Sequence, residues 1–255
     1  MTRQALVKKK ANKVITERKT NYTTTSLILD VDKCQGCNLC WTICPQYAIE
    51  RGPIGASIRG RTNTPPIRIN YYRCVFCGLC AYICPFNALK LEINGKPAQK
   101  IREGVSIPKL EGDLVQCQKT GEIVKKSYEG EIILHEEKCP SGCSTCIDVC
   151  PSRCIELPLA SKDKPWENDH KLQVNHEDCL FCGACVFACP SPGAIELKRT
   201  EIKHSKEGSE SQLWINIEKK LTEKVSSRDW FSEERLEMLT RGEKKLPPKR
   251  KHLKD

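Results

Sequence analysis

Apolar residues in this chain come mostly in short alternating runs, the period of a half-buried β-strand. SLILDVDK from Ser26 leads into one cysteine loop, and Ala48-Ile49-Glu50 follows it. PPIRINYYR and ALKLEI frame a second loop, EIILHEEK and CIELPL a third, KLQVNHED and AIELKR a fourth. Each repeat therefore reads strand, cysteine loop, short helix, turn, strand. The only helical stripe is near the end, where Leu213, Ile217, Leu221 and Val225 recur every four residues beside Trp214. A second helix is predicted from Ser232 as N-cap to Arg241, with Gly242 as its stop. Residues 1–24 show no sustained apolar period and read as a flexible basic arm. RGPIGASIRGRTNTPP from Arg51 reads as a loop, and LVQCQKTGEIVKKS as a hairpin turning at Lys119-Thr120-Gly121.

The four loops are variations on one pattern: CQGCNLCWTICP from Cys34, CVFCGLCAYICP from Cys74, CPSGCSTCIDVCP from Cys139 and CLFCGACVFACP from Cys179. Three cysteines three residues apart, a fourth four residues on and a closing proline form the spacing that holds a cubane 4Fe-4S cluster. The third loop has one extra residue, which Gly142 can absorb as a bulge. Cys34 to Cys74 spans forty residues and so does Cys139 to Cys179, with a longer gap between the pairs. This argues for two tandem two-cluster units. Sixteen of the eighteen cysteines are used.

A disulfide scaffold needs an oxidising compartment, and residues 1–30 hold no apolar signal segment, so the expected address is the reducing cytoplasm. No apolar run is long enough to span a bilayer. Zinc sites normally take two separated cysteine pairs rather than four cysteines closed by proline. In two-cluster ferredoxins the fourth cysteine of each motif ligates the neighbouring cluster. On that rule the four 4Fe-4S clusters take Cys34, Cys37, Cys40 and Cys84; Cys74, Cys77, Cys80 and Cys44; Cys139, Cys143, Cys146 and Cys189; and Cys179, Cys182, Cys185 and Cys150. Gly36, Gly78 and Gly183 supply backbone angles that let amides point at sulfur, and Pro45, Pro85, Pro151 and Pro190 turn the chain after the fourth ligand. Cys154 reads as a small buried side chain and Cys117 as a plain thiol. His135 and His176 read as strand-end surface residues. The apoprotein is expected to be largely unfolded.

The formal charge of +10 changes meaning once clusters are counted. Residues 1–20 carry +6 and residues 201–255 carry +3. Each oxidised cluster with its thiolates brings about −2, so the whole falls to about +2. The basic balance is thus a counterweight and does not call for nucleic acid. A cluster-stabilised RNA-binding or interaction protein is the minor alternative. Among the residues read here no nucleophile–base set, phosphate loop or flavin fingerprint appears, and none is assigned a catalytic role.

From Cys34 to Gly95 the chain resembles the polyferredoxin subunit of archaeal formylmethanofuran dehydrogenase. The likeness rests on IERGPIGASIRG and on PPIRINYYRCVFCGLCAYICPFNALKLEING, which exceed what the cysteine pattern requires. It implies a subunit relaying low-potential electrons to or from a molybdenum or tungsten catalytic subunit that interconverts carbon dioxide plus methanofuran with formylmethanofuran. Other ferredoxins or heterodisulfide reductase are the further partners it suggests, and a polyferredoxin of a hydrogenase or another redox complex is the alternative. The expected fold is α+β, two tandem ferredoxin-like two-cluster modules with a helical C-terminal extension. The boundaries are 1–24 basic arm, 25–97 first module, 98–130 linker, 131–200 second module and 201–255 extension.

Overall fold

Short strands that alternate apolar and polar residues need partners on both edges, and the chain finds them across each pair of cysteine loops. A computed structural model describes residues 4–52, 64–98, 107–139, 143–157 and 172–227. The loop at 53–63, residues 140–142 of the third cysteine loop, the second C-terminal helix and the basic end expected from the sequence lie outside the described residues.

In the first module, β3 (Thr24–Asp30) runs into the first loop and α1 (Leu39–Ile43), followed by β4 (Ile49–Arg51). β5 (Ile67–Ile69) leads to the second loop, α2 (Leu79–Ile83) and β6 (Leu89–Ile93). The outer strands β3 and β6 pair antiparallel with Leu27 opposite Leu91, and the inner strands β4 and β5 pair with Ile49 opposite Ile69. The second module repeats this. β10 (Tyr128–Leu134) pairs β13 (Ile195–Ile202) outside, and β11 (Ile155–Glu156) pairs β12 (Gln173–Val174) inside, around α3 (Thr145–Val149) and α4 (Ala184–Ala188). Because the strand before one loop pairs with the strand after the other, neither repeat closes a sheet alone.

The basic arm is a correction. Residues 4–19 form a hairpin, β1 (Gln4–Lys10) and β2 (Lys13–Lys19), that extends the sheet to the order β1-β2-β3-β6-β7, where β7 is Lys96–Pro97. Val14 pairs with Leu29 and Thr16 with Leu27, so β2 covers an edge of β3 that would otherwise leave backbone groups unpaired. The lysines hid this period: Lys8, Lys10, Lys13 and Lys19 alternate with or flank Val7, Val14 and Thr16, and Lys8 pairs with Glu17 across the hairpin at 2.8 Å.

The linker forms the expected hairpin, β8 (Asp113–Gln116) with β9 (Ile123–Lys126), and Gly121 takes φ +72° in its turn. Cys117 is fully buried there and donates to the Pro151 carbonyl at 3.1 Å. The hairpin ties both halves: Lys33 pairs with Glu122 at 2.7 Å, and Lys119 Nζ donates to the Asp148 carbonyl at 2.9 Å.

The C-terminal stripe packs inward. α5 (Gln212–Thr222) starts at Ser211, whose hydroxyl accepts from the Trp214 amide, and it buries Trp214, Ile217 and Leu221. Val225 lies past the helix in β14 (Val225–Ser226), which pairs with β13. Trp214 meets Tyr82 of the first module edge-on at 6.4 Å and His204 at 4.9 Å. A single apolar cluster therefore runs from Leu39, Ile43, Leu79 and Ile83 through Tyr128, Val149 and Leu197 to Trp214 and Leu221, crossing both modules. Among the described residues no helix is long and apolar enough to cross a membrane. Trp214→Ala is expected to cost about 3–5 kcal/mol, the range for emptying a buried tryptophan site, and to lower the midpoint of anaerobic denaturant unfolding.

Candidate metal centres

Each loop must curl tightly enough to bring three thiols to one side, and its backbone shows how. Gly36, Gly78 and Gly183 take φ of +66°, +85° and +91°, as expected. They do not stand at equivalent places. Gly78 and Gly183 precede the helix, where the first loop has Asn38 at φ +61°, while Gly36 matches Phe76 at +56° and Phe181 at +47°. Each of these loops thus uses two left-handed residues, one of them phenylalanine in two loops, a costly choice for a bulky side chain. The return is a hydrogen bond: the amides of Gly36, Phe76 and Phe181 point at the sulfurs of Cys34, Cys74 and Cys179. The sequence carries the signal as a shared Phe-Cys-Gly at 76–78 and 181–183. In the third loop Ser144 precedes the helix at φ −112°, so the extra residue is accompanied by a different entry.

After the fourth cysteine, proline and a left-handed residue reverse the chain: Pro45 with Tyr47, Pro85 with Asn87, Pro151 with Arg153, and Pro190 with Gly193 one position later. The reversal returns the amides of Ala48 and Ala88 to the sulfurs of Cys44 and Cys84 at 3.3 and 3.4 Å. Cys154 takes the corresponding place in the third repeat. It is buried, and its thiol lies 3.5 Å from Cys150 Sγ, so the small side chain also touches a neighbour of the cluster loop.

The thiols meet in crossed sets. Cys34 is pushed up to about 12 by burial and faces Cys84; Cys40 is raised by burial and by Cys37, Cys34, Cys80 and Cys84. Cys74, raised to about 11 by burial, faces Cys44 and Cys77, and a small apolar cavity is lined by Cys44, Cys74, Cys77 and Cys80 together with Leu27, Ile49, Phe76 and Leu79. Cys146, raised to about 12 by burial, faces Cys139, Cys189 and Cys143; Cys185 is raised by burial and by Cys182 and Cys150. Each set includes a thiol from the other loop of its module: Cys84 beside Cys34, Cys44 beside Cys74, Cys189 beside Cys146 and Cys150 beside Cys185. Among the described residues no three ligating side chains converge on one ion-sized point. Such groups fit a multi-iron cage: burial and mutual repulsion oppose thiolate formation until a cationic group supplies the compensating charge.

The modules bring two loops together. Cys37 of the first loop and Cys182 of the fourth are electrostatic neighbours, Trp41 meets Phe187 edge-on at 6.5 Å, and Arg51 donates to the Phe187 carbonyl. The position after the first cysteine reports the same arrangement: Gln35 is 1% exposed and Leu180 2%, whereas Val75 is 48% exposed. Loops one and four face inward, and loop two faces solvent. Three residues here were not singled out from sequence. Arg18 of the N-terminal hairpin donates to the Cys74 carbonyl and covers the Phe76 ring at 4.6 Å; Arg199 does similar work in the second module; Tyr128 donates to the Ile83 carbonyl at 3.2 Å. Arg199 was legible in principle, since it occupies the inward phase of the strand after Ile195 and Leu197. His135 is half-buried, with Nε2 3.2 Å from Glu196, and is more than a surface residue.

Gly183 tests this geometry. A Cβ there would stand 3.2–3.3 Å from Leu197, Arg199 and Phe187 in a left-handed conformation. Gly183→Val is expected to lower the iron content per chain and the thermal midpoint, with backbone strain alone costing about 1–2 kcal/mol.

The model of the 4Fe-4S dicluster domain matches twice, at residues 33–88 and 136–192, which are the two cysteine modules. A ferredoxin of Rickettsia felis is 30% identical over 95 residues, 34% of this chain and 74% of that protein. An uncharacterized polyferredoxin-like protein of Methanocaldococcus jannaschii is 30% identical over 110 residues, 41% of this chain and 60% of that one. The chain spans as little as 28% of the length of other relatives that it matches. Among solved structures, a chain of the formate dehydrogenase, heterodisulfide reductase and formylmethanofuran dehydrogenase complex from Methanospirillum hungatei superposes with a TM-score of 0.78 at 29% identity, covering 88% of this chain and 93% of that one. Doubled dicluster domains, the ferredoxin relative and the crossed thiol sets agree: the chain belongs to the 4Fe-4S ferredoxin family and carries two dicluster domains in tandem.

Proposed function

We propose that this protein is the polyferredoxin subunit of a formylmethanofuran dehydrogenase-type complex, relaying low-potential electrons to or from a molybdenum or tungsten catalytic subunit. The observation that supports the relay is the meeting of loops one and four at the module interface, Cys37 beside Cys182, where an electron would pass from one dicluster module to the other. The likeness to a chain of the Methanospirillum hungatei complex over most of both lengths supports the choice of partner.

The four clusters supply one-electron redox chemistry when bound. Cys34, Cys37, Cys40 and Cys84 hold the first; Cys74, Cys77, Cys80 and Cys44 the second; Cys139, Cys143, Cys146 and Cys189 the third; Cys179, Cys182, Cys185 and Cys150 the fourth. Gly36, Phe76 and Phe181 aim amides at sulfur, which favours the thiolate form. Ile43, Ile83, Val149 and Phe187 keep water from the thiols. Loop two, with Val75 and Tyr72 at the surface, is the end nearest a partner. The working compartment is a reducing one, the cytoplasm. The same path would serve a hydrogenase or a heterodisulfide reductase, and the structural neighbour's complex, which includes the latter, favours that as the second reading.

Anaerobic purification of the native complex, with iron, sulfide, molybdenum and tungsten assayed together, tests the assignment. Full iron on this chain and molybdenum or tungsten on a partner is the expected result; nickel on the partner sends the relay to a hydrogenase, and zinc in place of iron rejects it. Cross-ligation has its own test: Cys44→Ala is expected to remove the electron paramagnetic resonance signal of the cluster on loop two while the cluster on loop one keeps its own.

A further inference from the structure

Arg199 is 2% exposed, the most deeply buried cation among the described residues. It arrives on β13 at a position whose counterpart in the first module, Ile93, is apolar. Among the described residues its guanidinium is held by neutral groups. Nε donates to the Phe181 carbonyl at 2.8 Å, Nη2 to the Cys182 carbonyl at 3.0 Å and Nη1 to the Leu221 carbonyl at 3.1 Å. The ring of Tyr128 lies 5.6 Å from its central carbon. Among the described residues no carboxylate forms an ion pair with it. A buried charge without a counter-ion is expensive, and removing its cost requires negative charge close by. Its electrostatic neighbours are Tyr128 and the thiols of Cys182, Cys37 and Cys179, and the thiols are the groups that turn negative on binding iron.

We infer that Arg199 is the counter-charge of the cluster held by Cys179, Cys182, Cys185 and Cys150, and that it raises the reduction potential of that cluster where the two modules meet. The inference rests on the cluster assignment made above. When one electron enters from a donor, the cluster with its thiolates goes from about −2 to about −3, and Arg199 keeps its single positive charge throughout, so its attraction favours the reduced form. Burial makes the effect large, because no solvent screens the guanidinium. Arg18 makes the comparable contact to the Cys74 carbonyl on loop two but is only half-buried, so water weakens its field there. Arg199 is a positioning and tuning residue and bonds to no iron. Its three carbonyl bonds also fix the loop and the last turn of α5, so a charge role has to be separated from a scaffolding role.

Arg199→Lys keeps the charge and loses the fork; Arg199→Gln keeps a donor and loses the charge. Both are made in the full chain, loaded anaerobically beside wild type, and followed by iron assay and by redox titration with electron paramagnetic resonance detection. The expected result is full iron and wild-type potentials for Lys, with Gln shifting one of the four midpoints to more negative values or failing to retain that cluster. Lys and Gln behaving alike, whether both keep wild-type potentials or both lose iron, overturns the inference while leaving the cluster assignment intact. Absence of iron from the loaded wild type overturns the cluster assignment and the inference with it.

Discussion

Packing sixteen thiols into so small an interior is the constraint from which this structure follows. Thiols surrounded by apolar side chains and by one another resist ionisation, and the loops answer with amides: those of Gly36, Phe76 and Phe181 toward the first cysteines, and those of Ala48 and Ala88 toward the fourth in the first module. Those directions require left-handed residues at fixed places, and the short helices and proline turns are what remains of the chain once those places are set. The strands close around them. Crossed pairing of β3 with β6 and of β10 with β13 is the backbone counterpart of crossed thiols, since both make the two halves of a module dependent on each other.

Much of this was legible because cysteine spacing and strand alternation are local signals. The eight framing strands, the linker hairpin and the division into two modules follow from patterns a few residues long. The N-terminal hairpin was not, since its lysines mask an alternation that has meaning only beside the open edge of β3. Glycine was a partial guide to the loops. Gly36 and Gly183 lie at different positions, and the structure places Phe76, Phe181 and Asn38 in conformations that composition alone assigns to glycine. Strand alternation marks Arg199 as inward-facing, but what it and Tyr128 meet there depends on which module face meets which, a long-range fact that no local pattern encodes.

The helical stripe shows how a local pattern can be right about burial and silent about its partner. Its period announces one apolar face, but only the fold shows that Trp214, Ile217 and Leu221 bury that face in the seam between the modules. The modules are therefore joined by a common interior, reinforced by Tyr128 reaching Ile83 and by the linker hairpin holding Lys33 on one side and Asp148 on the other.

That seam has a consequence for biogenesis. The helix that seals it follows both modules in the chain, so during synthesis the two cysteine domains leave the ribosome before the segment that closes the gap between them. Chain order thus places the closing element last, after every cysteine loop it helps to enclose.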